Sequence, residues 1–113
     1  MNIDSYSFGK MVMKGKAFHS DLIIYPDKVE GTWRRKEGHV LRLEDLTSIL
    51  AADPEVLIIG TGYMDQMKVP DELRKGLLSR RIELYVDDSR RAVEIFNSIH
   101  TKRRTIAAFH LTC

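Results

Sequence analysis

Val56-Leu57-Ile58-Ile59-Gly60-Thr61-Gly62-Tyr63 is the stretch on which the reading of the fold turns. Four apolar residues in a row, without polar alternation, describe a strand covered on both faces, as inside a parallel sheet. Ahead of it, Leu43, Leu46, Ile49 and Leu50 fall on one helical face, with Glu44 and Asp45 in the first turn, where the helix dipole favours acids. Asp53-Pro54 is the stop, because a residue before proline avoids helical geometry. Behind the strand, Pro70-Asp71-Glu72 opens a second helix with proline at its first position. Leu73 and Leu77 are expected to face inward, and Gly76 to permit close approach to the sheet.

Continuing outward, Ile82, Leu84 and Val86 alternate as a strand. Asp87 or Asp88 then caps a helix with the apolar stripe Ala92, Ile95, Phe96 and Ile99, and Lys102-Arg103-Arg104 sits at its C-terminal end. Residues 105–111, with the run Ile106-Ala107-Ala108-Phe109, read as a last, mostly buried strand. Strand, helix, strand, helix, strand is the pattern of right-handed crossovers building a parallel core with helices on its faces. The first forty residues read differently. Gly9 and Gly15 punctuate short strands, and Leu22-Ile23-Ile24-Tyr25 is a buried strand stopped by the turn pair Pro26-Asp27. Val29, Gly31 and Trp33 alternate with polar residues as the return arm of a hairpin. These antiparallel strands either extend the sheet or form a small extra layer. No linker, repeat or low-complexity stretch interrupts the chain, so residues 1–113 are expected to form a single α/β domain.

The bulk composition narrows the function. A chain of 113 residues with 43% hydrophobic and 30% charged residues can fold without a metal or disulfide. A net charge of +2 is too small to imply nucleic acid. The basic clusters Arg34-Arg35-Lys36, Arg80-Arg81 and Arg90-Arg91 are read as solvated faces, and Trp33 as a core or edge residue rather than a stacking platform. The apolar runs are too short for a membrane span. Met1-Asn2-Ile3-Asp4 lacks the basic flank and apolar stretch of a secretion signal, and the one cysteine, Cys113, has no partner. A cytoplasmic location follows as the expectation.

No residue set stands out as a catalytic centre. The serines carry no nucleophile elbow, and the carboxylates at helix starts are explained by capping. His19, His39, His100 and His110 show no metal-ligand spacing, so they read as structural or surface histidines, and neither a metal nor a cofactor is expected. Met64 and Met67 read as loop anchors folded into the core. The most suggestive feature is the glycine pair, because ligands of open α/β sheets bind beyond the carboxyl ends of the strands. It departs from the dinucleotide pattern, which needs a third glycine where Asp65 stands, and no phosphate-loop lysine is present. Acids at the start of the following helix would repel a phosphate. What is left is a binding surface formed by Gly60, Thr61, Gly62, Tyr63, Gln66 and Lys68.

Leu57-Ile58-Ile59-Gly60-Thr61-Gly62, Pro70, Arg91-Ala92-Val93-Glu94-Ile95-Phe96-Asn97 and Arg104-Thr105-Ile106-Ala107-Ala108-Phe109-His110 together resemble a family of small α/β proteins. Phe8-Gly9, Lys14-Gly15 and Val29-Glu30-Gly31-Thr32-Trp33 extend the likeness over nearly the whole chain. The family includes assembly factor 3 of mitochondrial complex I, the adipogenesis-associated domain proteins and uncharacterised archaeal and bacterial members; the compact chain looks most like a prokaryotic one. The resemblance implies a three-layer fold with a central mixed, mostly parallel sheet, and no catalytic residues to carry over. The expectation is a non-catalytic binding or assembly module with a protein partner, self-association being open. The alternative is a small-molecule or anion site, or an unrecognised enzyme, at the Gly60-Thr61-Gly62 loop.

Overall fold

The structure is a computed structural model of residues 1–113. Its frame is a five-stranded sheet in the order β5-β4-β8-β6-β7. The strands are β4 (Leu22–Ile24), β5 (Val29–Glu30), β6 (Val56–Thr61), β7 (Glu83–Asp87) and β8 (Thr105–His110). All six residues of β6 and all six of β8 are buried, as an unbroken apolar run requires. β6 pairs in parallel with both β7 and β8, while β4 pairs antiparallel with β8 and β5. Four of the five strands therefore run the same way and β4 alone runs against them, as the expected mixed, mostly parallel sheet requires. A separate antiparallel sheet holds β1 (Ser5–Ser7), β2 (Lys10–Met13) and β3 (Lys16–Phe18). Both antiparallel options thus occur: one hairpin extends the sheet and the earlier strands form an extra layer.

Strand periodicity splits the core in two. Leu57, Ile59, Ile106 and Ala108 face α1 (Thr47–Ala51), α2 (Asp71–Ser79) and the buried Trp33. Val56, Ile58, Ala107 and Phe109 face α3 (Ser89–Ile99) and the small sheet, through Ala92, Phe96, Met11 and Met13. That is a three-layer α/β arrangement.

Four local expectations are corrected. Residues 43–46 form a 3₁₀ turn before the short α1, leaving Leu43 48% exposed. There the Asp45 carboxylate accepts the amides of Arg42 and Lys36, and its carbonyl accepts the Trp33 indole N–H. Pro70 is the N-cap of α2, with extended ψ, not its first helical residue. Gly76 faces solvent and approaches nothing. The return arm pairs only at Val29 and Glu30, after which Trp33 N–H donates to the Asp21 carbonyl instead (2.7 Å).

Candidate functional site

Gly60 and Thr61 end β6, and Thr61 stands in register with His110 of β8. The space beside both glycines is already filled. A Cβ on Gly60 would lie 2.6 Å from the Phe109 ring and 2.7 Å from Ser89 Oγ. Gly62, at φ +110°, would meet the Cys113 carbonyl carbon at 2.5 Å and His110 Cδ2 at 2.8 Å. Ser89 Oγ accepts Gly62 N–H (2.9 Å) and donates to the His110 carbonyl (2.6 Å), tying the start of α3 to the ends of β6 and β8. The amides of Tyr63, Asp65, Gln66, Met67 and Lys68 donate to Thr112, Gly62, Cys113, Thr61 and His39 carbonyls. With those donors spent inside the protein, the loop has no outward nest for an anion.

The six predicted residues do not form one surface, although Thr61 and Lys68 border the same cleft. Gly60, Thr61 and Gly62 are buried, Tyr63 is half-buried, and Gln66 and Lys68 are exposed. The Tyr63 ring packs against Tyr6 (6.2 Å between centroids) and Phe8 (5.9 Å), and the Arg90 guanidinium lies over it at 4.6 Å. Phe8 is 53% exposed and Met64 61%. Met67 is a buried loop anchor as expected, whereas Met64 is not. Burial pushes the Tyr6 phenol up to about 12, so it stays protonated and donates to the Leu111 carbonyl (2.7 Å). Arg90 and Arg91 share one carboxylate, Asp88, at 3.9 and 3.8 Å.

Lys68 lies on the other side of the loop. With Thr61, Asp65, Asp71, Arg74 and Asp87 it borders a cleft of about 470 Å³. This cleft sits at the carboxyl ends of β6 and β7, where the chain leaves for α2 on one face of the sheet and α3 on the other. Such a switch point is the favoured ligand position in open α/β sheets. The Thr61 hydroxyl lies between the Asp65 carboxylate and the Asp87 carbonyl.

A third constellation leaves little mark in the sequence pattern. Asp21 Oδ2 accepts both Arg35 Nη2 and His110 Nδ1, each at 2.8 Å, and Asp21 Oδ1 accepts Leu111 N–H (2.7 Å). Arg35 belongs to a basic cluster expected to be solvated, yet its side chain is only 4% exposed. It stacks on Trp33 at 4.5 Å, which shields its apolar stem and one guanidinium face. Burial works against ionisation of Asp21, but the hydrogen bonds from His110, Leu111 and Arg35 outweigh it and hold the carboxyl below its ordinary range. The one available signal was His110, a polar residue closing an apolar run. Its partners lie 89 and 75 positions away, beyond any spacing argument. No three His, Cys, Asp or Glu side chains gather in a metal-holding group; His39 packs edge-on against His110 with centroids 5.5 Å apart.

Residues 3–111 match the family model described as "Protein of unknown function (DUF498/DUF598)". The chain is similar over its whole length to the structure of a conserved hypothetical protein from Pyrococcus horikoshii, at 27% identity and TM-score 0.83, covering all of both chains. It is also similar to a Bartonella henselae protein described as an outer membrane protein (27% identity, 98% and 94% covered, TM-score 0.80). A Bordetella pertussis protein described as a Mth938-like domain shares the fold at 19% identity, 97% and 85% covered, TM-score 0.69. In the present chain no helix is long and apolar enough to cross a membrane.

Proposed function

The chain belongs to the DUF498/DUF598 family, described only as of unknown function, and from that premise we propose a non-catalytic protein-binding module of the cytoplasm, acting through the patch around Tyr63 and Met64. One observation carries this reading: Tyr63, Phe8 and Arg90, from three separate segments, form one aromatic and basic cluster at the surface, with the exposed Met64 next to Tyr63 in the chain. Tyr, Phe, Met and Arg are enriched in protein interfaces, and Tyr and Arg lead their energetic centres. The Arg90 guanidinium over the Tyr63 ring favours a partner segment that presents a carboxylate beside an apolar side chain. The family resemblance seen in the sequence, which includes a respiratory-complex assembly factor, supports transient docking over turnover. A photo-crosslinking amino acid at position 64, expressed in the native host, tests this. The expected result is one discrete protein adduct, suppressed by Arg90→Glu and absent with the crosslinker at the exposed Asp27. No adduct, or one indifferent to Arg90→Glu, refutes the surface; an adduct of the chain with itself replaces the partner by self-association.

The cleft beside Lys68 supports a second reading, a small polar ligand at the switch point. A metabolite in this cleft would raise the melting temperature of the wild type but not of Lys68→Ala.

A further inference from the structure

The Asp21–Arg35–His110 cluster has no part in that docking surface, and three of its polar atoms are buried without a partner: Nε and Nη1 of Arg35 and Nε2 of His110. The two side chains are 4% and 7% exposed. Unpaired buried donors and acceptors are costly, and three in one cluster demand a cause. Geometry fixes the chemistry of each. Nη2 of Arg35 has two hydrogens, one directed to Asp21 and one to the Gly38 carbonyl (3.0 Å), so its 3.2 Å approach to His110 Nδ1 is a contact only. His110 Nδ1 therefore carries a proton for Asp21, and Nε2 is the ring nitrogen left without a partner. A carboxylate orienting an imidazole in this way makes Nε2 a proton acceptor. Beside it, Arg35 is a cation that cannot deprotonate and has N–H donors to spare.

We propose that these three side chains form a site for a small oxyacid, a carboxylate or phosphate oxygen taking a free Arg35 N–H while His110 Nε2 takes up a proton. The charges require the proton. Asp21 and Arg35 cancel, so a bound monoanion would leave one negative charge inside the protein. A proton from solvent on Nε2 restores neutrality, with imidazolium and guanidinium against two anions, and no covalent bond in the ligand changes. The groups facing the ring are Asp21 just ahead of β4, Arg35 and His39 from the segment after Trp33, and the Cys113 carbonyl across Gly62. Thr61, with Asp65 bonded to it, stands on the β6 side. His39 is the cover. Its segment is fastened to the loop by Lys68 N–H to the His39 carbonyl (2.7 Å) and Leu41 N–H to the Lys68 carbonyl (2.9 Å).

Sodium acetate and inorganic phosphate, titrated separately into protein carrying ¹⁵N-labelled histidine, test this. His110 Nε2 is followed by NMR, and proton uptake by calorimetry in buffers of different ionisation heat. One or both anions should move Nε2 saturably to its protonated signature, with uptake on the order of one proton per ligand. His39→Ala should tighten binding, and His110→Gln should weaken it about tenfold or more. Response to one anion alone identifies the acid class. An unmoved Nε2, binding without proton uptake, or equal affinity in His110→Gln overturns the site and leaves a structural clamp around water. If His110→Gln does not fold, the Nε2 signal and the proton uptake of the unmutated protein decide between the same two outcomes. Failure here does not touch the docking surface, which shares none of these residues.

Discussion

Replacing Gly62 by alanine separates a packing glycine from a ligand-cradling one. The residue sits at φ +110°, a conformation that costs an L residue about 1–3 kcal/mol. The new Cβ would also fall 2.5 and 2.6 Å from the carbonyl carbon and oxygen of Cys113. Those atoms are backbone and cannot swing aside as a flexible side chain does, so residues 112–113 must lift. Lifting them strains the bonds from Tyr63 N–H to Thr112 O (2.6 Å) and from Gln66 N–H to Cys113 O (2.9 Å). Each contributes about 0.5–1.5 kcal/mol net. The summed loss is roughly 2–6 kcal/mol, a large share of the ~5–15 kcal/mol that holds a typical domain together. Urea denaturation should show a lower midpoint with an unchanged slope. The melting temperature should fall by about 4 °C per kcal/mol. A Gly62→Ala protein within about 1 kcal/mol of wild type would refute the reasoning and reopen the loop as a ligand cradle.

Gly76→Ala should do the opposite, raising stability by about 0.5–1 kcal/mol in the same denaturation assay, because an added Cβ on this exposed helical face meets nothing. Ser89→Ala should cost about 1–3 kcal/mol, since it strands the buried Gly62 N–H, and amide exchange at Gly62 should accelerate. Asp88→Ala removes the side chain that accepts Arg91 N–H at the start of α3, and should cost about 1 kcal/mol with fraying confined to the first turn by NMR. Folding lowers the pKa of Asp21, so the unfolded state holds its proton more tightly. The stabilisation is complete above the unfolded value near ~3.9 and disappears as pH falls below it through the folded value. In denaturation curves taken from neutral pH downward, Asp21→Asn should lose this part of the acid-side slope.

The main course of the chain was legible because each signal was local. The unbroken run 56–59 announced a strand with two covered faces, and Pro70, Asp88 and the stripe Ala92-Ile95-Phe96-Ile99 marked helices within a few residues. Short-range misreadings arose where a tertiary partner overrode propensity. Residues 43–46 form a 3₁₀ turn in which Asp45 accepts the amide of Arg42 and, from outside the turn, that of Lys36. Gly76 had helical position but no neighbour, and position alone does not say which helix face meets the sheet. The candidate site was legible only in part. Sequence identified the Gly60–Gly62 segment but not that its amides are consumed inside the protein or that Tyr63 and Lys68 part company across the loop.

By itself, the sequence determined the crossover half of the fold, because hydrophobic period, caps and breakers act over a few residues and need no distant partner. Tertiary structure alone decided how the early strands divide between two sheets, and that Arg35 is buried. It also decided that Asp21 and His110, 89 positions apart, share a hydrogen bond. Those outcomes depend on which strand ends the sheet brings side by side, and pairing across a sheet leaves no spacing in the chain to read.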